Sequence, residues 1–395
     1  MVPATVPAVT SRIQLGVVGA GQLGRMLHQA AIGLGVEILF MADGQSDPAA
    51  QVSPNVQIGS AMSAEDLATM ATSCDVVSFE HEVVNLEAIA RLAEGGAVFR
   101  PGSHALGVVA DKIGMRTAVE AAGLPVPPWR VIETTAAAVA AMAEWSEVVL
   151  KVSRGGYDGR GVFVAEEPDH AVTLASELLS GGARLLAEPR LAFDAELAVV
   201  VARRPGGDAV VYDPVTTVQI DGQCRQVSAP ATVPASTAAD AVEMARSVAE
   251  AIDAVGLVAV ELFFVGGRLL INELAVRPHN TGHHTIDAAV TSQFENHIRA
   301  VLDLPLGAAT LRTPATMVNV VGNAAGDDPR DTLAAAAAAD PGAHIHLYGK
   351  SPRPDRKIGH VTVCDDDPAR ASVRAWRVVA ALRGDVPARI EETLV

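Results

Sequence analysis

VVLKVSRGGYDGRGVFVA, residues 148–165, is the stretch that decides the fold. Its two ends are short runs of β-branched and apolar residues, so 148–152 and 161–165 read as strands. Between them lies Ser153-Arg154-Gly155-Gly156-Tyr157-Asp158-Gly159-Arg160. Glycines between two strands, rather than between a strand and a helix, argue against a Walker-type phosphate loop. They suit a flap whose backbone N–H groups, with Arg154 and Arg160, close over a triphosphate. Lys151, at the end of its strand, reaches the phosphates from beside the flap. The competing reading is a mobile glycine hairpin with no ligand.

Working outward, the flanking segments alternate unevenly. On the C-terminal side, 185–188, 195–203 and 208–218 read as strands and 238–254 as an amphipathic helix. Residues 258–265 and 268–273 form a hairpin around Gly266-Gly267. On the N-terminal side, 111–122 is a helix closed by Gly123, so the middle of the chain is α+β. Earlier still, strands at 13–18, 36–41 and 75–79 alternate with helices from 25 to Gly35 and at 86–93, which implies a parallel sheet covered on both faces. After Pro305 and Pro314, 316–321, 344–348 and 360–363 read as strands and 334–339 as a helix. The domains expected are 1–107, 108–310 and 311–395.

Composition narrows the function. The chain has 395 residues, 49% of them hydrophobic and 19% charged, which is globular and not disordered. A formal charge of −16 and an aromatic content of 4% exclude binding to nucleic acid through a general basic field or stacking platforms. Anions must be held in local basic pockets. Cys74, Cys224 and Cys364 are too scattered for a disulfide framework or a CxxC metal site, which suits a reducing cytoplasm. No apolar run is long enough for a transmembrane helix, and the first dozen residues read as a frayed tail, not a signal peptide.

Four further motifs carry chemistry. Glu261 and Glu273 stand on adjacent strands of the hairpin, with Asn272 beside the second. Paired carboxylates in an apolar setting suit Mg²⁺, with ATP phosphates completing its oxygen shell; the alternative is a solvated edge pair. Register makes this a sharp test. A two-residue turn at Gly266-Gly267 sets Glu261 opposite Asn272 and turns Glu273 to the other face, because side chains alternate. Sharing one metal therefore requires an odd loop or a bulge, and the expectation is one of these instead of a two-residue type I′ turn. In Arg277-Pro278-His279-Asn280-Thr281-Gly282-His283-His284, the His279/His283 spacing suits zinc only on a helix, which Pro278 and Gly282 oppose; an oxyanion-binding loop is the better reading. Lys350, Arg353, Arg356 and Lys357 are either a solvated turn or a pocket for a substrate phosphate. Gly19-Ala20-Gly21-Gln22-Leu23-Gly24 matches GxGxxG, with Asp43 where a ribose-binding acid would stand. It fits a dinucleotide, a single phosphate, or tight packing alone.

Together these residues resemble the ATP-grasp superfamily, and within it the N5-carboxyaminoimidazole ribonucleotide synthase family. The segments that carry the resemblance are 19–26 (GAGQLGRM), 155–161 (GGYDGRG), 271–283 (INELAVRPHNTGH), 291–295 (TSQFE) and 353–360 (RPDRKIGH). The resemblance implies a Rossmann-like pre-ATP-grasp domain, a central ATP-grasp domain and a small C-terminal β-rich domain, α/β and α+β in class. It implies a homodimeric cytoplasmic ligase that carboxylates 5-aminoimidazole ribonucleotide with bicarbonate and ATP, through carboxyphosphate, using Mg²⁺ or Mn²⁺. Lys112 and Lys151 would contact ATP phosphates, and Gly156, Tyr157, Asp158, Gly159, Arg160 and Gly161 would form the flap. Glu188, Pro189, Arg190 and Leu191 would hold adenine through the backbone and Glu196 the ribose. Glu261 and Glu273 would ligate the metal beside Asn272. Tyr157, Asp158, Arg277 and His279, with Asn280 near, would line the ribonucleotide and bicarbonate site. Gln22, Leu23, Lys350, Arg356 and Lys357 would meet the ribonucleotide phosphate.

Three positions depart from the family pattern: Lys112 stands for a frequent Arg, Gln219 for His, and Val276 for Pro. Gln219 is therefore not assigned a role. The rival functions are another ATP-grasp ligase using formate or an amino acid, an NAD-dependent dehydrogenase, and a non-catalytic nucleotide sensor.

Overall fold

Ile13–Val18 is the axis of the N-terminal unit. The computed structural model describes residues 13–156 and 161–385, and it separates into two compact units, 1–100 and 101–395. Among the described residues of the first unit, a parallel sheet runs in the order Val56–Ile58, Ile38–Ala42, Ile13–Val18, Cys74–Phe79. Leu15, Val17 and Val18 are fully buried. The helix Gln22–Leu34 lays Leu23, Met26, Leu27 and Ala31 inward and stops at Gly35, whose φ of 66° is the left-handed geometry a glycine accepts without strain. That left-handed residue delays the next strand to Ile38, two residues later than the apolar run suggests. The pair Val56–Ile58 and Ala64–Ser73 escapes the sequence reading. The strand is short and half-exposed, although Ser63, which accepts from the Asp66 amide, is a legible helix cap.

The second unit contains two antiparallel sheets among its described residues. The smaller runs Arg130–Ile132, Leu185–Pro189, Val148–Val152, Val162–Ala165. The larger runs Arg268–Ala275, Gly256–Val265, Ala195–Arg203, Val215–Ile220, Gln223–Ala229, Ala315–Val321, Lys357–Cys364, Ala343–Leu347, with Ala209–Val211 also on Ala195–Arg203. Two corrections follow. The expected 208–218 strand is broken into Ala209–Val211 and Val215–Ile220. Pro214 has no N–H to donate, and Tyr212 turns inward to hydrogen-bond the Thr291 carbonyl at 3.0 Å. The strand Gln223–Ala229, which the apolar pattern does not single out, joins Val215–Ile220 to Ala315–Val321 in one continuous sheet.

Pro368–Arg383 is a long helix beyond the elements expected from the sequence. Its signals are plain: Asp367 caps the Ala369 and Arg370 amides, Pro368 starts it and left-handed Gly384 ends it. It packs Ala375, Trp376, Val379 and Leu382 onto Val318, Val320, Val361 and Val363 of the large sheet. Full burial of each such valine or leucine contributes about 1.5–3 kcal/mol.

Candidate active site

The hairpin Gly256–Val265/Arg268–Ala275 carries the paired acids. Val265 pairs with Arg268, so Gly266-Gly267 is a two-residue turn, and both glycines have positive φ (53° and 81°). The expectation that such a turn was absent is therefore corrected, and the bulge half of the same expectation holds. Leu262 pairs with Ile271, but Glu261 pairs with Glu273, so Asn272 is the extra residue. The two carboxylates are cross-strand neighbours on one face. Glu196, opposite Phe263 on the neighbouring strand, stands diagonally across on that face.

The charges around these acids are unequal. Lys112 Nζ lies 2.6 Å from Glu273 Oε1, and that cation holds the carboxyl below its ordinary value despite the loss of surrounding water. Glu261 faces the His279 ring, with Nε2 at 3.7 Å. Loss of water, then the charges of Glu273 and Glu196, push it up to about 8, with Lys112 and Lys357 opposing. Glu196 is pushed up to about 7 by the same desolvation, offset by Lys151. Three carboxyl groups raised or crowded on one sheet face make a site short of positive charge, and an oxygen-seeking divalent cation fits that donor set.

Lys151 on the smaller sheet and Lys112 and Arg116 on the helix Lys112–Ala121 supply the cations. Lys151 Nζ sits 2.6 Å from Glu188 Oε2 and donates to Asn272 Oδ1 at 3.2 Å. Burial lowers its pKa, and the Glu188 carboxylate works against that. Burial likewise raises Glu188, but Lys151 and Arg116 outweigh it and hold the carboxyl low. Arg116, 1% exposed, meets Glu188 Oε1 through Nε at 2.6 Å. Sequence reasoning had assigned it nothing; its only sequence signal is the i,i+4 spacing from Lys112 on the helix Lys112–Ala121. The flap stem is closed by the Val152 amide, which donates to the Gly161 carbonyl at 2.8 Å, and Gly155 and Gly161 both have φ of 79°. Tyr157, Asp158, Gly159 and Arg160 lie outside the described residues. Glu188 turns its side chain into this ion cluster, while Arg190 pairs with Glu147 and Glu166 on the surface.

The 277–284 loop forms a 3₁₀ turn over Asn280–Gly282 and a short helix, Thr285–Ala288. Its two candidate zinc histidines go to different partners. His279 faces Glu261, whereas buried His283 sets Nδ1 against Gln293 Nε2 at 3.1 Å. Asn280 and Asn319 form a reciprocal amide pair at 2.9 and 2.7 Å, and Asn319 also donates to the Cys224 carbonyl. Because a carbonyl only accepts, that last bond fixes the orientation of both amides. Asp287, His346 and His360 bring ligand-type atoms within 4.8 Å of one another. His346 already donates to Asp287 and His360 Nδ1 pairs with the Tyr348 hydroxyl, while the buried His360 Nε2 has no hydrogen-bond partner among the described residues.

In the basic turn, Lys350 Nζ lies 5.9 Å from the centre of the Tyr348 ring, and Arg356 donates to the Ser351 carbonyl at 3.0 Å. The Arg356 carbonyl in turn accepts from Gly322, which ties the turn to the end of Ala315–Val321. In the first unit, the GxGxxG turn is filled from within. The Glu80 carboxylate accepts from the Gly21 amide and, at 3.0 Å, from the Leu23 amide. Burial pushes the Glu80 carboxyl up, and the Gly21 and Leu23 amides at that helix N-terminus work against the shift.

Two sheets with a lysine-bearing strand, a glycine flap and a paired-acid hairpin define an ATP-grasp protein. Accordingly, residues 117–294 match the ATP-grasp domain, 13–110 the ribonucleotide synthetase preATP-grasp domain, and 315–374 the phosphoribosylaminoimidazole carboxylase C-terminal domain. The chain belongs to the N5-carboxyaminoimidazole ribonucleotide synthase family. It is 44% identical over 379 residues to the synthase of that name from Mycobacterium tuberculosis, covering 93% of this chain and 88% of the other. Among solved structures it resembles the Aspergillus clavatus synthase complexed with ATP (33% identity, TM-score 0.86, 93% of this chain and 98% of that one). The same fungal enzyme with ADP and 5-aminoimidazole ribonucleotide matches at 32% identity and TM-score 0.85, again over 93% and 98%.

Proposed function

We infer that this chain is an ATP-dependent ligase that carboxylates 5-aminoimidazole ribonucleotide with bicarbonate, giving N5-carboxyaminoimidazole ribonucleotide, ADP and phosphate in purine biosynthesis. The observation that carries the mechanism is the shared face of Glu261 and Glu273, with Lys112 and Lys151 converging on it. A bicarbonate oxygen attacks the γ-phosphorus, and ADP leaves. The carboxyphosphate formed breaks to CO₂ and phosphate, and the exocyclic amine of the ribonucleotide takes up the CO₂ and loses a proton. Phosphoryl transfer of this kind depends on positioning and charge neutralisation.

On this reading Lys112 and Lys151 hold the ATP phosphates, and the flap from Gly156 to Gly161 excludes water from a labile intermediate. Glu196 takes the ribose, and the backbone of 188–191 takes adenine. Glu261 and Glu273 hold Mg²⁺ or Mn²⁺, which supplies charge neutralisation at the phosphates when bound. Arg277, His279 and Asn280 place bicarbonate and the ribonucleotide, with Asn280 held in one orientation by Asn319. Lys350, Arg356 and Lys357 take the ribonucleotide phosphate; the attraction of Lys357 already reaches Glu261. Gln22 and Leu23 complete the list of ribonucleotide contacts, but the Leu23 amide reaches a phosphate only if Glu80 releases it. The protein acts as a cytoplasmic homodimer by family resemblance; no helix among the described residues is long and apolar enough to cross a membrane.

The deciding experiment is the substrate dependence of ADP release. Release that requires both the ribonucleotide and bicarbonate, with N5-carboxylated product by mass spectrometry, is expected. Activity with formate or an amino acid in place of bicarbonate, or nucleotide binding without turnover, would overturn it.

A further inference from the structure

Asn272 poses a structural question. A bulge disrupts a strand ladder and leaves backbone groups unmatched, so something outside the hairpin has to hold it. Arg268–Ala275 is the edge of its sheet, and its outer side is where help arrives. The Ile271 amide donates to the Pro125 carbonyl at 2.8 Å. Arg116 Nη1 donates to the carbonyls of both Ile271 and Asn272, at 3.2 and 2.8 Å. In a regular strand consecutive carbonyls point to opposite edges, so one nitrogen cannot donate to both. Here the bulge turns them together, and the buried guanidinium fills the concavity. The other end of the same guanidinium is anchored on Glu188, which also holds Lys151.

We propose that Arg116 is a positioning residue for the metal-binding acids: by clamping the Ile271 and Asn272 carbonyls it fixes the bulge that puts Glu273 on the face of Glu261, and through Glu188 it ties that register to Lys151. This rests on the reading of Glu261 and Glu273 as metal ligands. Without the clamp, the hairpin gains by slipping to the regular register that its two-residue turn favours, which sets Glu261 opposite Asn272 and turns Glu273 away. A lysine is a point charge on a flexible stem and cannot meet two carbonyls and a carboxylate at once, so Arg116→Lys keeps charge and loses the clamp.

The test uses full-length Arg116→Met and Arg116→Lys, with fold checked by circular dichroism. Mn²⁺ binding in the presence of ADP is read from the free-ion electron paramagnetic resonance signal, alongside amide hydrogen exchange across 268–275. Expected are Mn²⁺ affinity weakened about 10–100-fold in Arg116→Met, the range for removing a group that orients metal ligands, and an intermediate loss in Arg116→Lys. Faster exchange at 271–274 and a KM for the ribonucleotide that stays within about twofold are also expected. If Arg116→Met does not fold, Arg116→Lys decides by the same readouts. Unchanged Mn²⁺ affinity or unchanged exchange at 271–274 in a folded variant overturns the proposal. Absence of Mn²⁺–ADP binding by the unsubstituted protein instead overturns the metal reading, and the exchange data then judge the clamp alone.

Discussion

The GxGxxG turn at 19–24 and the hairpin Gly256–Val265/Arg268–Ala275 make opposite use of charge. The turn has the stronger sequence motif, and its amides are already occupied by Glu80. A Cβ on Gly21 would collide with that carboxylate, so the glycine is needed there by an internal side chain. The hairpin's own signals are two acids near a glycine pair and the INELA stretch at 271–275, and it presents one carboxylate paired with Lys112, Glu273, and one, Glu261, that desolvation and its acidic neighbours push up. Glycine spacing reports the path of the backbone; what occupies the space is decided by which distant side chain arrives.

The largest effect that could break this contrast is at Lys151. Lys151→Met removes the cation proposed to hold the ATP phosphates, and with it the ion pair to buried Glu188. A rate loss of about 10²–10³ in ribonucleotide-dependent ADP release is expected with the fold intact by circular dichroism. Near-normal turnover would show that the charge assembled beside the hairpin is structural only. Lys350→Ala tests whether the basic turn is a phosphate pocket and not a solvated loop. KM for the ribonucleotide should rise about 10–150-fold, the equivalent of 1.5–3 kcal/mol for a charge-assisted contact, while KM for ATP stays put. Equal rises in both constants would indicate a disturbed fold.

The pH dependence sharpens the comparison further. Glu261 is pushed up to about 8, so on the proposed reading protons compete with the metal cation for it at neutral pH. Mn²⁺ affinity should rise by up to about tenfold per pH unit below that value and level off above it. Since its folded pKa lies above its unfolded one, its contribution to stability is full at low pH and is lost as pH rises through about 8. Metal-free protein should therefore melt lower across that window, and Mg²⁺ with ADP should restore more of the melting temperature at the alkaline end. A flat Mn²⁺ affinity would remove Glu261 from the ligand set.

The smallest effect is at the glycine turn. Glu80→Ala leaves the Gly21 and Leu23 amides without their acceptor and should cost about 1–3 kcal/mol in thermal or urea unfolding. KM for ATP should not move, and NADH fluorescence should show no binding. Saturable NADH binding, in either protein, would return the turn to the dinucleotide reading and end the contrast.

Much of the fold was open to inspection before any coordinates. The cap at Gly35, the strands flanking the flap and the hairpin over 258–273 follow from local patterns of two and 3.6 residues and from glycine geometry. So do the start and stop of Pro368–Arg383, although that helix went unread. Parity alone established that Glu261 and Glu273 can share a cation only across an irregularity. Which irregularity it is, and what holds it, came from elsewhere in the chain. Arg116 is 155 and 156 residues from the carbonyls it clamps, and Glu188 is 72 residues from Arg116. Local sequence sets which conformations a segment can adopt at low cost. The choice among registers that differ by a few hydrogen bonds falls to groups that only the folded chain brings within reach.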